Sequence, residues 1–139
     1  MKRHLYVLKV ALADIKPEIW RRFVVPSDIT LDRLHDIIQI VMGWTDSHLH
    51  EFIIGEKRYT EYRESPEDGE EDGLYRLGNL VKCKGTSFEY HYDFGDSWRH
   101  HIILENTNYS LGPYDEPILF FGRREGMPAG GCRRYWRIF

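Results

Sequence analysis

The sequence predicts an α+β domain, a mainly antiparallel sheet with one principal helix, about residues 31–42, packed on it. Three observations carry this prediction. Apolar side chains alternate at period two along residues 4–13 and 88–105. A single stretch, residues 31–42, repeats them at helical spacing. Short turn-rich connections join the first two extended segments, which favours antiparallel neighbours.

The chain has 139 residues, the usual size of one domain. Hydrophobic residues are 42% and aromatic residues 14%, enough large side chains for a core and too many for global disorder. No apolar run approaches the roughly eighteen residues of a membrane span. The N-terminus meets Lys9 and Asp14 before a signal-type apolar block forms, so it reads as a mature strand. Two cysteines, Cys83 and Cys132, are too few for a disulfide scaffold, and a cytoplasmic location is expected.

In order along the chain, HLYVLKVALA (4–13) is a strand with Tyr6, Leu8, Val10 and Leu12 on one face. Pro17 fixes φ and removes a ladder donor, so residues 14–17 turn. EIWRRFVV (18–25) is the second strand, ended by Pro26-Ser27-Asp28. Thr30 is the expected N-cap and Gly43 the stop of a helix carrying Leu31, Leu34, Ile37, Ile38 and Val41 inward. His35, Asp36 and Gln39 are expected mostly on its wetter side. HLHEFIIG (48–55) is a third strand, with Lys57 to Tyr62 as its hairpin partner across Gly55-Glu56. RESPEDGEEDG (63–73) reads as a solvated acidic loop, and 74–81 as a short helix or turn. In residues 88–105, Gly95-Asp96-Ser97 is expected to turn a hairpin in which Tyr92 faces His100 and Tyr90 faces Ile102.

The 22 acidic and 19 basic residues are unevenly spread. Five arginines and one acid lie in 123–139, leaving 14 basic against 21 acidic residues in 1–122. Phosphate binding draws on basic side chains, so the body of the chain is a poor generic nucleic-acid binder.

Period-two geometry places three imidazoles, His48, His50 and His100, on the apolar sides of their strands. Buried imidazoles need partners, since an unsatisfied group costs roughly 1–3 kcal/mol. Either each ring is hydrogen-bonded and fixes the sheet, or the three converge on a divalent metal such as zinc or manganese. The structural reading is preferred. Asp93 and Asp96 are the candidate catalytic carboxylates, though an Asp in such a turn more often binds nearby amides. Neither Ser47 nor Ser97 sits in a nucleophile elbow, and neither cysteine has an activating base beside it.

Two segments, 15–54 and 88–105, closely resemble the plasmid pRiA4b ORF-3-like family, also known as insertion-element passenger TnpR-like proteins. The resemblance rests on Pro17, Ile19, Trp20, Arg21 and Arg22; on Leu31, Leu34 and His35; on Gly43 and Trp44; on Ser47, His48, Leu49, His50 and Phe52; and on Tyr92, Asp93, Phe94, Gly95, Asp96, Trp98 and His100. It implies a small α+β domain associated with bacterial and archaeal mobile elements, without an established activity. The resolvase-like label implies no recombinase chemistry, because no such constellation is present.

The C-terminus departs from the family's pattern, which continues into Ala-Cys-Pro-Pro-Glu-Asp-x-Gly-Gly. A coding string permitted by residues 126–139, read one base later, yields that motif. The expected organisation is therefore one domain over 1–122, truncated at its C-terminus, and an atypical tail, 123–139, arising from a frameshift at about residue 120. The expected function is a non-enzymatic binding or interaction module for a protein or small-molecule partner, with Trp20, Arg21, Trp44 and Trp98 on its recognition surface. The competing class is a metal-dependent hydrolase or nuclease-like enzyme, with His48, His50 and His100 as ligands and Asp93 or Asp96 as base. Nucleic-acid binding through Arg21, Arg22, Arg58 and Arg63 is less favoured, and no membrane association is expected.

Overall fold

The computed structural model describes residues 4–61, 65–110, 119–122 and 136–137. Among them are nine strands: β1 (Leu5–Leu12), β2 (Trp20–Pro26), β3 (His50–Ile54), β4 (Lys57–Thr60), β5 (Glu70–Glu71), β6 (Ser87–Tyr92), β7 (Trp98–Asn106), β8 (Leu119–Gly122) and β9 (Trp136–Arg137). They form one sheet in the order β5-β4-β3-β6-β7-β1-β2-β8-β9. Only β4 and β5 run parallel. The principal helix, α1 (Leu31–Met42), packs on one face, and a single-turn helix, α2 (Leu77–Leu80), follows the acidic segment. The α+β class and the 31–42 helix therefore stand. The tail expectation falls largely on residues outside those described; Leu119–Gly122 and Trp136–Arg137 pair with each other, and β8 also pairs with β2.

The core lies between α1 and the sheet. Leu31, Leu34 and Ile38 are fully buried with Leu8 and Val10 of β1, Phe23 of β2, Phe52 of β3 and Leu104 of β7. These are the alternating positions that the strand pattern turns inward, and burying a large side chain of this kind stabilises by roughly 1.5–3 kcal/mol. Gly43 closes the helix at φ +78°, a conformation that favours glycine, with its N–H on Ile40 O. Thr30 holds the N-cap position but makes no side-chain capping bond. Instead, Leu31 N–H donates to Tyr75 O at 3.0 Å.

Three local expectations are corrected. The β6–β7 connection spans five residues, 93–97, so Tyr90 pairs with His100 and Tyr92 with Trp98. Asp93 and Ser97 both take positive φ, and the Asp93 carboxylate accepts from Gly95 N and Asp96 N, which widens the turn. The shift is two residues, so every side chain keeps its expected face. Second, His35 and Gln39 are buried, at 3% and 4% exposure, while Asp36 stays in solvent. They stand one turn apart and both reach Tyr90, so the inward stripe of α1 is wider than its apolar residues indicate.

Third, the described part of the acidic segment, 65–73, is ordered against the fold. Glu70 and Glu71 extend the sheet beside Tyr59 and Thr60, and the turn after them leaves Asp72 only 2% exposed. Residues 75–78 then run against residues 27–31. Gly78 is required there: a Cβ would lie 2.7 Å from Ser27 O, which accepts the Gly78 N–H.

Candidate functional site

Beneath the C-terminal half of α1 sits a largely buried polar cluster built from five segments: His35 and Gln39 of α1, half-exposed Asp46 after it, His50 of β3, Asp72 of the acidic segment and Tyr90 of β6. Its hydrogen bonds determine its protons. Gln39 Nε2–H donates to the Tyr90 hydroxyl at 2.8 Å, and Gln39 Oε1 accepts Asp46 N–H at 2.8 Å. The Tyr90 hydroxyl therefore donates to His35 Nδ1 at 2.6 Å. His35 Nε2–H in turn donates to Asp46 Oδ1 at 2.8 Å. Both nitrogens of a neutral His35 are thus used. Burial holds its pKa below the ordinary value, and the neighbouring His50 ring adds to that, against the opposing pull of Asp46. Burial also pushes the Tyr90 phenol well above its ordinary range, so it stays protonated.

His50 stacks on His35 with ring centroids 3.5 Å apart and planes 9° from parallel. The His50 ring is 1% exposed, and its Nε2 lies 2.7 Å from Asp72 Oδ2, itself buried. Its Nδ1 stands 3.2 Å from Glu61 Oε1, yet the two are not aligned for a hydrogen bond. Among the described residues, His50 Nδ1 is the one buried side-chain nitrogen or oxygen without a hydrogen-bond partner. Asp46, whose φ is +53°, and Glu61 also line an open cleft of about 610 Å³, with Ser47, His48 and Leu49 completing it.

His100 belongs to a neighbouring aromatic group. Its Nδ1–H donates to Tyr90 O at 3.1 Å, and its Nε2 accepts Trp44 Nε1–H at 3.2 Å. Burial pushes its pKa down to about 4, only partly countered by the bond to Tyr90 O. Trp44 packs on Trp98 and Tyr92, at 5.4 and 5.6 Å between centroids. The Tyr92 hydroxyl accepts Ser47 N–H at 2.8 Å, which ties this group to the cleft.

The three imidazoles expected to share a centre therefore separate. His48 precedes β3 rather than lying in it, is half exposed, and faces Asp93 Oδ2 at 3.5 Å. His50 is buried with Asp72, and His100 has both nitrogens occupied. Asp93 spends one carboxylate oxygen on its own turn, and Asp96 is exposed. The expected binding residues also divide. Trp44 and Trp98 meet near the cleft, whereas Trp20 projects from the opposite face of the sheet between Lys9 and Arg22. Arg21 points to the core side, 8% exposed, with Nη1–H on Trp20 O. The physical reason is the alternation of β2, which places residues 20 and 21 on opposite faces.

Sequence reasoning missed His35 as a site residue, and Gln39, Asp72 and Tyr90 with it. His35 carries a signal: it stands among the residues of the family pattern, although helical spacing alone places it toward the wet side of the helix. Asp72 carried none, since its partner lies 22 residues away in another strand. A second grouping, His35, Asp36 and Asp46, has donor atoms within 4.8 Å of one another, but His35 has no free nitrogen to offer there.

Fold and cluster together define a class: a small α+β domain whose principal helix seals a buried imidazole–carboxylate network beside an open acidic cleft. The chain belongs to the plasmid pRiA4b ORF-3-like protein family, whose model matches residues 4–138. It is 40% identical over 109 residues to uncharacterised protein y4hQ of Sinorhizobium fredii, covering 76% of this chain. The chain spans only 55% of that relative's length. It is also similar to the crystal structure of a protein of unknown function, MM3350 from Methanosarcina mazei Go1. That likeness has a TM-score of 0.67 and 30% identity, covering 92% of this chain and 67% of the other. Among the described residues, no helix is long and apolar enough to cross a membrane.

Proposed function

We propose that the chain is a non-enzymatic binding module, acting with mobile elements in the cytoplasm, and that its recognition surface is the cleft between residues 46–49 and Glu61. One observation carries the reading: the cleft is lined by two carboxylates, Asp46 and Glu61, beside buried His35, Gln39 and Tyr90, which are already committed to one another. Saturated side chains such as His35, Gln39 and Tyr90 hold a shape and offer no proton to a reaction. Preorganisation of this kind favours binding. The carboxylates select a ligand that presents positive charge, and Trp44, Trp98 and Tyr92 rigidify the adjoining loop.

The hydrolase reading loses its support, because His48, His50 and His100 do not share a centre. Nucleic-acid binding is also disfavoured. Arg22 and Arg58 are paired with Glu105 and Glu51, Arg21 is buried, and Arg63 lies outside the described residues. Fragment screening by amide chemical shifts tests the proposal. Fragments bearing an amine or guanidinium are expected to move the amides of Asp46–Leu49 and Glu61. Hits confined to anionic fragments, or to the opposite face of the sheet, would reject it.

A further inference from the structure

His50 is held in an arrangement that a buried histidine does not need for structure alone. Its Nε2 faces the buried Asp72 carboxylate at 2.7 Å, so the ring donates that proton and presents a bare lone pair at Nδ1. Glu61 Oε1 stands 3.2 Å from that lone pair, and no hydrogen bond links the two. Two acceptors facing each other repel unless something positive lies between them. A proton on Nδ1 would not point at Glu61 Oε1, because the two are not aligned for a hydrogen bond.

A metal ion meets the geometry better. Ligands at about 2.0–2.2 Å from one ion stand roughly 3.0–3.4 Å apart at tetrahedral or octahedral angles. The observed 3.2 Å falls in that window. A metal-ligating histidine characteristically donates its other N–H to a carboxylate, which is the role Asp72 fills here. The nitrogen and carboxylate donor pair suits a first-row divalent ion such as zinc.

We propose that His50 Nδ1 and Glu61 form a divalent transition-metal site at the wall of the cleft, the remaining coordination positions being left to water or to a ligand. The site differs from the one expected from the sequence, sharing only His50 with it. The inference rests on the cleft being the binding surface, and it names a metal ion as the positive group bound there. A metal with open positions would let the module grip a neutral donor group as well, through the ion. The site requires no movement of the core, because the Glu61 side chain is 41% exposed and already stands 3.2 Å from His50 Nδ1.

Titration of the full chain with Co²⁺, read by its visible absorption, and competition with Zn²⁺ test this. One ion per chain is expected. Glu61→Gln, a surface change that leaves the core intact, should weaken binding by at least tenfold. Asp72→Asn should weaken it about 10–100-fold. His91→Ala and His101→Ala, on the other face of the sheet, should leave it unchanged. Absence of binding in the unaltered chain, or full binding retained by Glu61→Gln, overturns the site. The amine-fragment shifts separate the two ideas: if they persist where metal does not bind, the cleft remains the recognition surface and only the metal is lost.

Discussion

The two faces of the sheet use the same residue types to different ends. On the helix-covered face, His35, His50 and His100 are almost wholly buried, and His35 and His100 have both ring nitrogens engaged at 2.6–3.2 Å. On the open face, His91 lies between Glu51 and Glu89, at 3.3 and 3.1 Å, and His101 is 4.0 Å from Glu89. Around them run further ion pairs, Arg22–Glu105, Arg58–Glu51 and Lys9–Glu18. Water can replace most partners on the open face, Glu51 at 7% exposure excepted, so those contacts are largely interchangeable. Under the helix it cannot, so each hydrogen bond dictates the next, from Gln39 through Tyr90 and His35 to Asp46. Burial converts a set of polar contacts into a single defined arrangement.

The sharpest way to break this contrast is through packing. Phe52→Ala, beneath α1, should cost about 3–5 kcal/mol in urea unfolding, whereas Ile103→Ala on the open face should stay within about 0.5 kcal/mol. Similar losses at both positions would mean that the open face is covered in solution.

Acidity provides the next test. The folded pKa of His100 lies at about 4, below the ordinary 6.5, so between these values the unfolded chain binds the extra proton. Stability from this residue is therefore complete above about pH 6.5 and is lost as the pH falls toward 4. His35, also lowered, acts in the same direction. The loss should be on the order of 3 kcal/mol from His100 alone. Urea midpoints that stay level from pH 7 to pH 5 would show that His100 is not held neutral.

The smallest contrast concerns single polar groups. Tyr90→Phe keeps the ring but strips His35 Nδ1 and Gln39 Nε2 of their common partner, and should cost about 1–3 kcal/mol. Its counterpart Arg99→Ala removes the partner of exposed Asp14 and should cost under about 1 kcal/mol. Equal effects in denaturation curves would contradict the view that burial alone separates the two sets.

Much of the frame was legible. The alternation of Tyr6, Leu8 and Val10 specified a strand and its inner face, and Leu31, Leu34, Ile38 with Gly43 specified the helix and its end. Even the hairpin at 93–97, read with too short a turn, kept its faces, because period two is indifferent to a shift of two residues. The site was legible only in pieces. His50 was marked by its place among apolar strand residues. His35 and Gln39 were misassigned because polar side chains carry no sign of whether the neighbouring strand will offer them a partner. Tyr90 offers that partner from 55 and 51 positions away.

The sequence by itself determined the elements, their inward faces and the absence of a generic phosphate-binding charge, since each depends on local periodicity or on composition. Only the tertiary structure decided that the acidic segment carries Asp72 to His50, that His100 is spent on Trp44 and Tyr90, and that one nitrogen of His50 is left facing Glu61. Hydrogen bonds of this kind are made between strands and turns brought together by the sheet order, and nothing in the spacing of residues along the chain encodes which donor will meet which acceptor.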